Sequence, residues 1–190
     1  MSNKKVISLE NYTPEKESKI VIDTNILINI FTPYNIMYNK KTQELYSNLW
    51  VKLNKAKCNL LISSVQISEF INRCIRIEFE LYKKNKNQER LNYKKDYRPT
   101  DDYKEKMNDI FDIIFNDIMP NFTFISDNFD KINKENIFTY GFSYDFNDSL
   151  LVEIVKDNNA VLITDDADFG NYEMNFKIVT SNRFLLNMRH

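Results

Sequence analysis

At 190 residues, with 43% apolar and 14% aromatic content, the chain is long enough for one full core and too short for two comfortable domains. A formal net charge of −1, a single histidine at the last position, two glycines and two cysteines exclude several chemistries at once. Histidine acid–base catalysis or ligation would rest on a frayed terminal residue, a P-loop or dinucleotide fingerprint needs several glycines in one turn, and Cys58 and Cys74 lack metal-type spacing and read as reduced thiols.

Residues 1–18 are polar and irregular and predict an arm ahead of a single domain over 19–190. No apolar segment follows the amino-terminal lysines in the manner of a signal peptide, and no later run is long enough to span a bilayer. The expectation is a cytoplasmic protein without membrane contact. "KIVID" at 19–23 is a β-branched run ending in an acid, and "TNILINIF" follows with Thr24 or Asn25 as a helix cap. Leu45, Leu49, Leu53 and Ala56 recur at spacings of three and four, predicting an amphipathic helix over 41–57. "CNLLIS" then predicts a second buried strand.

"SSVQISEFINRCIRIEFELYKK" opens with serine caps and places Ile67, Phe70, Ile71, Cys74 and Ile75 on one stripe, predicting a long helix from about 64 to 84. Residues 85–106 have no clear period and contain Pro99, while 107–119 return to helical spacing. "NFTFIS" predicts a third strand, 127–137 a short helix, "NDSLLVEIVKDNN" a helix with Leu151, Ile154 and Val155 inward, "AVLIT" a fourth strand and "FKIVTS" a fifth. Continuously apolar strands alternating with helices predict a mainly parallel five-stranded sheet in a three-layer α/β/α sandwich.

Charge is uneven along this frame. Residues 1–82 carry 11 basic and 8 acidic groups, 83–106 carry 9 and 5, and 107–190 carry 6 and 14. The basic stretch is part of an elaboration over about 80–120 in which Tyr82, Tyr93, Tyr97 and Tyr103 stand among lysines and arginines. It reads either as a track for a phosphate backbone with rings to stack unpaired bases, or as a solvated helix and loop.

The acids gather where ligands bind in parallel sheets, beyond the carboxyl ends of the strands. Asp23 ends the first strand, and Asp165, Asp166 and Asp168 follow the fourth. Glu69 lies in the second turn after the second strand, and Asp148 in the first turn of the helix before the fourth. Each has a plainer reading: a turn residue for Asp23, an i,i+4 partner of Arg73 for Glu69, a helix-dipole acid for Asp148 and a solvated loop for the trio. Together, oxygen-only ligands without histidine suit a hard cation, Mg²⁺ or Mn²⁺, and hence nuclease-type chemistry.

"IVIDTNILI" at 20–28, "ISSVQISEF" at 62–70, "FNDSLLVEIVKDNNAVLITDDADF" at 146–169 and "FKIVTS" at 176–181 follow one another in an order and spacing that resembles the PIN-domain ribonucleases, in particular the VapC-type toxins of bacterial toxin–antitoxin pairs. The resemblance implies metal-site roles for Asp23, Glu69, Asp148 and Asp166, an auxiliary role for Asp168, and supporting roles for Asn25 and Thr164. Asp165 falls at a variable position and is expected to face solvent. The implied activity is divalent-metal-dependent endonucleolytic cleavage of RNA by water, with an antitoxin partner and a homodimer. Over residues 80–140 the resemblance is silent.

Arg73 and Arg76, one and two turns past Glu69, are candidate phosphate contacts for an RNA substrate. Two rival readings stand beside the ribonuclease: a non-catalytic PIN-like module that binds RNA or protein, and an Asp-nucleophile phosphatase using Asp23. The latter wants an aspartate two positions on, where this chain has Asn25.

Overall fold

The computed structural model describes residues 5–33, 40–140, 145–172 and 175–188; Gly141 and His190 lie outside these. Six short apolar runs form one sheet: β1 (Val6–Ser8), β2 (Lys19–Ile22), β3 (Asn59–Ser63), β4 (Thr123–Ile125), β5 (Val161–Ile163) and β6 (Lys177–Thr180). They lie in the order β1-β6-β5-β2-β3-β4, and every neighbouring pair is parallel.

The helices are α1 (Thr24–Phe31), α2 (Lys40–Lys55), α3 (Ser64–Lys86), α4 (Asp101–Ile113), α5 (Lys134–Tyr140), α6 (Phe146–Asp157) and α7 (Arg183–Asn187). Strand alternation sends neighbouring residues to opposite layers. Ile20 and Ile22 of β2, Leu60 and Ile62 of β3, Ile163 and Val179 pack with Ile26, Leu27, Leu49, Leu53 and Phe70 from α1, α2 and α3. Val21, Leu61, Leu162 and Ile178 point the other way, onto Leu151, Val152 and Val155 of α6 and Leu185 of α7. This is the expected three-layer arrangement, and burial on both faces is why the strands carry no polar alternation.

The sheet has six strands rather than five. The sixth is β1, inside the stretch expected to be an arm: Val6–Ser8 pair with Ile178–Thr180, and Leu9 and Tyr12 are buried against the sheet. Three residues of an edge strand, buried on part of one face, are too short to show a period in sequence.

Local chemistry explains the other boundaries. Asn87, in the left-handed conformation with φ 53°, ends α3. Thr100 caps α4, its hydroxyl accepting from the Tyr103 amide at 3.1 Å, so this helix begins six residues earlier than its apolar spacing predicts. The start expected near 127 is delayed to Lys134 in α5. Beyond α4 the backbone widens into a π-turn over Ile114–Ile118, closed by Met119 N–H to the Ile114 carbonyl at 2.8 Å. Among the described residues, no helix is long and apolar enough to cross a membrane.

The order in which strands are laid across the sheet reverses between β2 and β5. From β2 the chain moves outward to β3 and β4; it returns to the far side of β2 as β5 and moves outward again to β6. The carboxyl ends of β2 and β5 therefore flank the topological switch point, the crevice favoured for ligands in open parallel sheets.

Candidate active site

Asp23 sits at that switch point and serves two geometries. Its backbone N–H continues the β2–β5 ladder to the Ile163 carbonyl at 2.9 Å, and its own carbonyl receives the Ile26 and Leu27 amides that start α1. The helix cap is thus Asp23 rather than Thr24 or Asn25, with Oδ1 accepting from the Asn25 amide at 3.4 Å. Oδ2 accepts from the Thr164 hydroxyl at 2.7 Å. At 5% exposure, the carboxyl is pushed up to about 6 by burial; the Thr164 hydrogen bond opposes this, and the charges of Glu69 and Asp166 add to it.

Thr164, fully buried just past β5, also accepts from the Asp166 amide through the same hydroxyl oxygen at 3.0 Å. One hydroxyl therefore ties the β2 acid to the β5 loop. Asp166 in turn caps the short 3₁₀ turn Ala167–Asn171, accepting from the Asp168 amide at 2.9 Å, and Asp168 faces outward on that turn.

Glu69 reaches the crevice from α3. Its Oε2 accepts from the Thr24 hydroxyl at 3.0 Å and its Oε1 from the Arg73 guanidinium at 3.2 Å. The α3 start is itself anchored by Gln66, a buried residue that sequence reasoning passed over. Gln66 Nε2 donates to the Ile22 carbonyl at 2.7 Å, and its Oε1 accepts from Ser63 N–H at 3.1 Å. The Ser-x-x-Gln spacing of a capping box is the signal that marks it.

Asp148 stands half-buried in the first turn of α6, which Asp145 caps. Burial pushes it up to about 7, reinforced by the charges of Asp23, Asp166, Asp145 and Glu69. The four acids singled out in the sequence thus share one electrostatic neighbourhood, although they come from four separate elements.

Asp165 is not solvent-facing. Its carboxylate accepts from Thr180 Oγ1 at 2.9 Å, Ser181 N at 2.7 Å, Ser181 Oγ at 2.7 Å and Asn182 N at 3.1 Å. A variable position in a motif need not be an idle one.

Of the rings in the basic stretch, Tyr97 is withdrawn from any base, while Tyr82, Tyr93 and Tyr103 are half-buried around it. Tyr97 is fully buried and packs against Phe79 at 5.3 Å, Tyr82 at 4.9 Å, Tyr103 at 5.5 Å and Tyr93 at 6.1 Å between centroids. The aromatics form a small core that fastens the 93–97 turn to α3 and α4. The Arg76 guanidinium lies 3.8 Å from the Tyr93 ring centroid, and Arg73 is held by Glu69.

The donor set around the crevice is all oxygen, which suits a hard divalent cation over zinc. Asn25 Oδ1 is buried without a hydrogen-bond partner among the described residues, so an acceptor beside Asp23 remains to be satisfied. Burial first, and then the charges of neighbouring acids, raise the protonation of Asp23 and Asp148, and a cation relieves the second of these. Among the described residues, no three acids, cysteines or histidines are gathered into a finished cage, so binding would draw the carboxylates inward or use water between them.

No family model and no curated protein matches this chain. Among solved structures it is similar to VapBC2 from Rickettsia felis bound to a promoter DNA fragment, at 18% identity and a TM-score of 0.48 over 85% of this chain and 98% of that one. It is also similar to FitAcB from Neisseria gonorrhoeae, at 15% and 0.47 over 84% and 96%, and to FitAB bound to the IR36 DNA fragment, at 13% and 0.48 over 90% and 98%. Likenesses at this level decide neither activity nor partner.

Proposed function

We propose that the chain is a divalent-metal-dependent endoribonuclease and the toxin of a toxin–antitoxin module, with RNA as substrate, a protein antitoxin as partner and a homodimer as the working form. The observation that carries the reading is the convergence of Asp23, Glu69, Asp148 and Asp166 on the crevice at the switch point, with Asp23 and Asp148 pushed up first by burial and then by the charges of neighbouring acids.

In this reading those four acids hold Mg²⁺ or Mn²⁺ directly or through water, with Asp168 auxiliary. When bound, such an ion makes a water nucleophilic near neutral pH and offsets charge on a phosphoryl oxygen. Thr164 keeps Asp23 oriented by its 2.7 Å hydrogen bond, and Asn25 supplies a neighbouring oxygen. Thr24 and Arg73 hold Glu69 toward the crevice, and the guanidinium of Arg73, side chain 38% exposed, is in reach of an incoming phosphate. Arg76, stacked on Tyr93, is the weaker candidate for that contact.

The Asp-nucleophile alternative fits poorly. Asp23 is 5% exposed and both its oxygens already accept hydrogen bonds, which leaves little approach to a phosphorus atom.

The test is cleavage of a structured RNA by purified protein with Mn²⁺ or Mg²⁺. Asp23→Asn and Asp148→Asn should each lower cleavage by about 100-fold or more, and a chelator should abolish it. Cleavage that survives both substitutions, or that ignores the chelator, overturns the reading.

A further inference from the structure

We infer that Asp165 is a positioning residue, a clamp that fixes the two working groups on either side of it by fastening the β5 loop to the end of β6. The inference rests on the proposed metal site for its consequence, though not for its geometry. Thr164 turns inward to Asp23, while Asp166 faces the crevice with its amide held on the Thr164 hydroxyl. Between them, the Asp165 side chain turns the opposite way. Its carboxylate takes the hydroxyls of Thr180 and Ser181 and the amides of Ser181 and Asn182, and its backbone carbonyl takes Asn182 Nδ2 at 2.7 Å.

Asn182 then caps α7 through the Phe184 amide at 2.8 Å. The loop between β5 and its 3₁₀ turn is thereby locked to a segment fifteen to seventeen residues later in the chain. Without the lock, Thr164 keeps its ties to Asp23 and the Val179 carbonyl, but Asp166 is left with the Thr164 hydroxyl and its own 3₁₀ turn, and positional tolerance at such sites is a fraction of an ångström.

Atom assignment separates this role from ligation. Three of the four donors converge on Oδ1, and the fourth, the Ser181 hydroxyl, is the group on Oδ2. Asparagine keeps an oxygen for the three and offers an NH₂ to a hydroxyl that can accept as well as donate. Asp165→Asn should therefore preserve the clamp, whereas Asp165→Ala removes its four carboxylate bonds and leaves only the one to the backbone carbonyl. A metal ligand would behave otherwise, since both substitutions remove the charge.

The experiment compares wild type, Asp165→Ala, Asp165→Asn and Ser181→Ala by Mn²⁺ titration calorimetry and by amide hydrogen exchange, with melting curves as a check on folding. Asp165→Ala should weaken Mn²⁺ about tenfold and speed exchange of the Asp166 amide at least tenfold, with β2 and β3 amides unchanged. Asp165→Asn should restore both to within about threefold of wild type, and Ser181→Ala should fall between. Mn²⁺ binding equally weak in Asp165→Asn and Asp165→Ala, or unchanged exchange at Asp166 in Asp165→Ala, overturns the clamp. If Asp165→Ala fails to fold, a Ser181→Ala protein indistinguishable from wild type in both readouts overturns it equally. A wild-type protein that binds no Mn²⁺ refutes the metal site instead, and the exchange pattern still decides the clamp.

Discussion

Asp148 is the residue at which burial and function pull against each other. A half-buried carboxyl near four other acids is pushed up to about 7, and Asp23 likewise up to about 6, against the usual 3.8. The native state thus keeps protons that the unfolded chain releases near pH 4. By linkage, the metal-free protein loses stability as pH rises from about 4 to 7, and the loss is complete above the higher value. Asp148→Asn removes one such group, so it should raise the metal-free melting temperature at pH 8 by roughly 2–8 °C, as expected for about 1–2 kcal/mol at this chain length. It should also flatten the dependence between pH 5 and 7. Melting curves across that range check both, and a destabilised variant at pH 8 contradicts the assignment. At Arg73, substitution by Ala should weaken RNA binding in filter assays by about tenfold, as for the loss of one charge-assisted contact, while leaving Mn²⁺ affinity within about threefold.

Whole elements are placed by a few long-range polar ties, and Gln66 is the clearest of them. It joins the first turn of α3 to the last residue of β2, 44 positions earlier, and so sets where Glu69 stands relative to Asp23. Gln66→Ala leaves the Ile22 carbonyl and the Ser63 amide without that partner in the interior. A loss of about 1–3 kcal/mol is expected in denaturant unfolding, together with weaker Mn²⁺ binding. The elaboration from α3 to α4 depends instead on apolar packing. Tyr97 lies fully buried at its centre, and Tyr97→Ala should cost about 3–5 kcal/mol while sparing the carboxylate crevice. The apolar stripes that predict α2, α3 and α6 were legible because a helix writes its buried face into its own spacing. The start of α4 was not, because a threonine cap followed by Asp101, Asp102, Lys104, Glu105 and Lys106, with Tyr103 alone among them, leaves no period to read.

At the scale of the molecule, Asp23, Glu69, Asp148 and Asp166 bring like charge together at one end of the sheet. Saturating Mn²⁺ should raise the melting temperature: at 100 times the dissociation constant the gain is about 2.7 kcal/mol, or roughly 5–11 °C. The rise should be larger at pH 8 than at pH 5.5, where Asp23 and Asp148 hold protons against the metal, and differential scanning calorimetry reads it directly. No shift at either pH removes the cation from the account of this crevice.

The amino-acid sequence by itself determined five of the six strands, that they would be parallel and covered on both faces, and which acids would stand near their carboxyl ends. Each of those follows from apolar runs and their immediate neighbours. Only the tertiary structure decided how the acids are held. Thr164 meets Asp23 across 141 positions and Thr24 meets Glu69 across 45, while Asp165 turns away from the crevice to fasten the loop that carries its neighbours. It also turned three residues of a polar lead-in into an edge strand and drew the tyrosines of a basic stretch into a core. A hydrogen bond between distant residues leaves no period in the chain, and a short edge strand takes its register from the partner it pairs with.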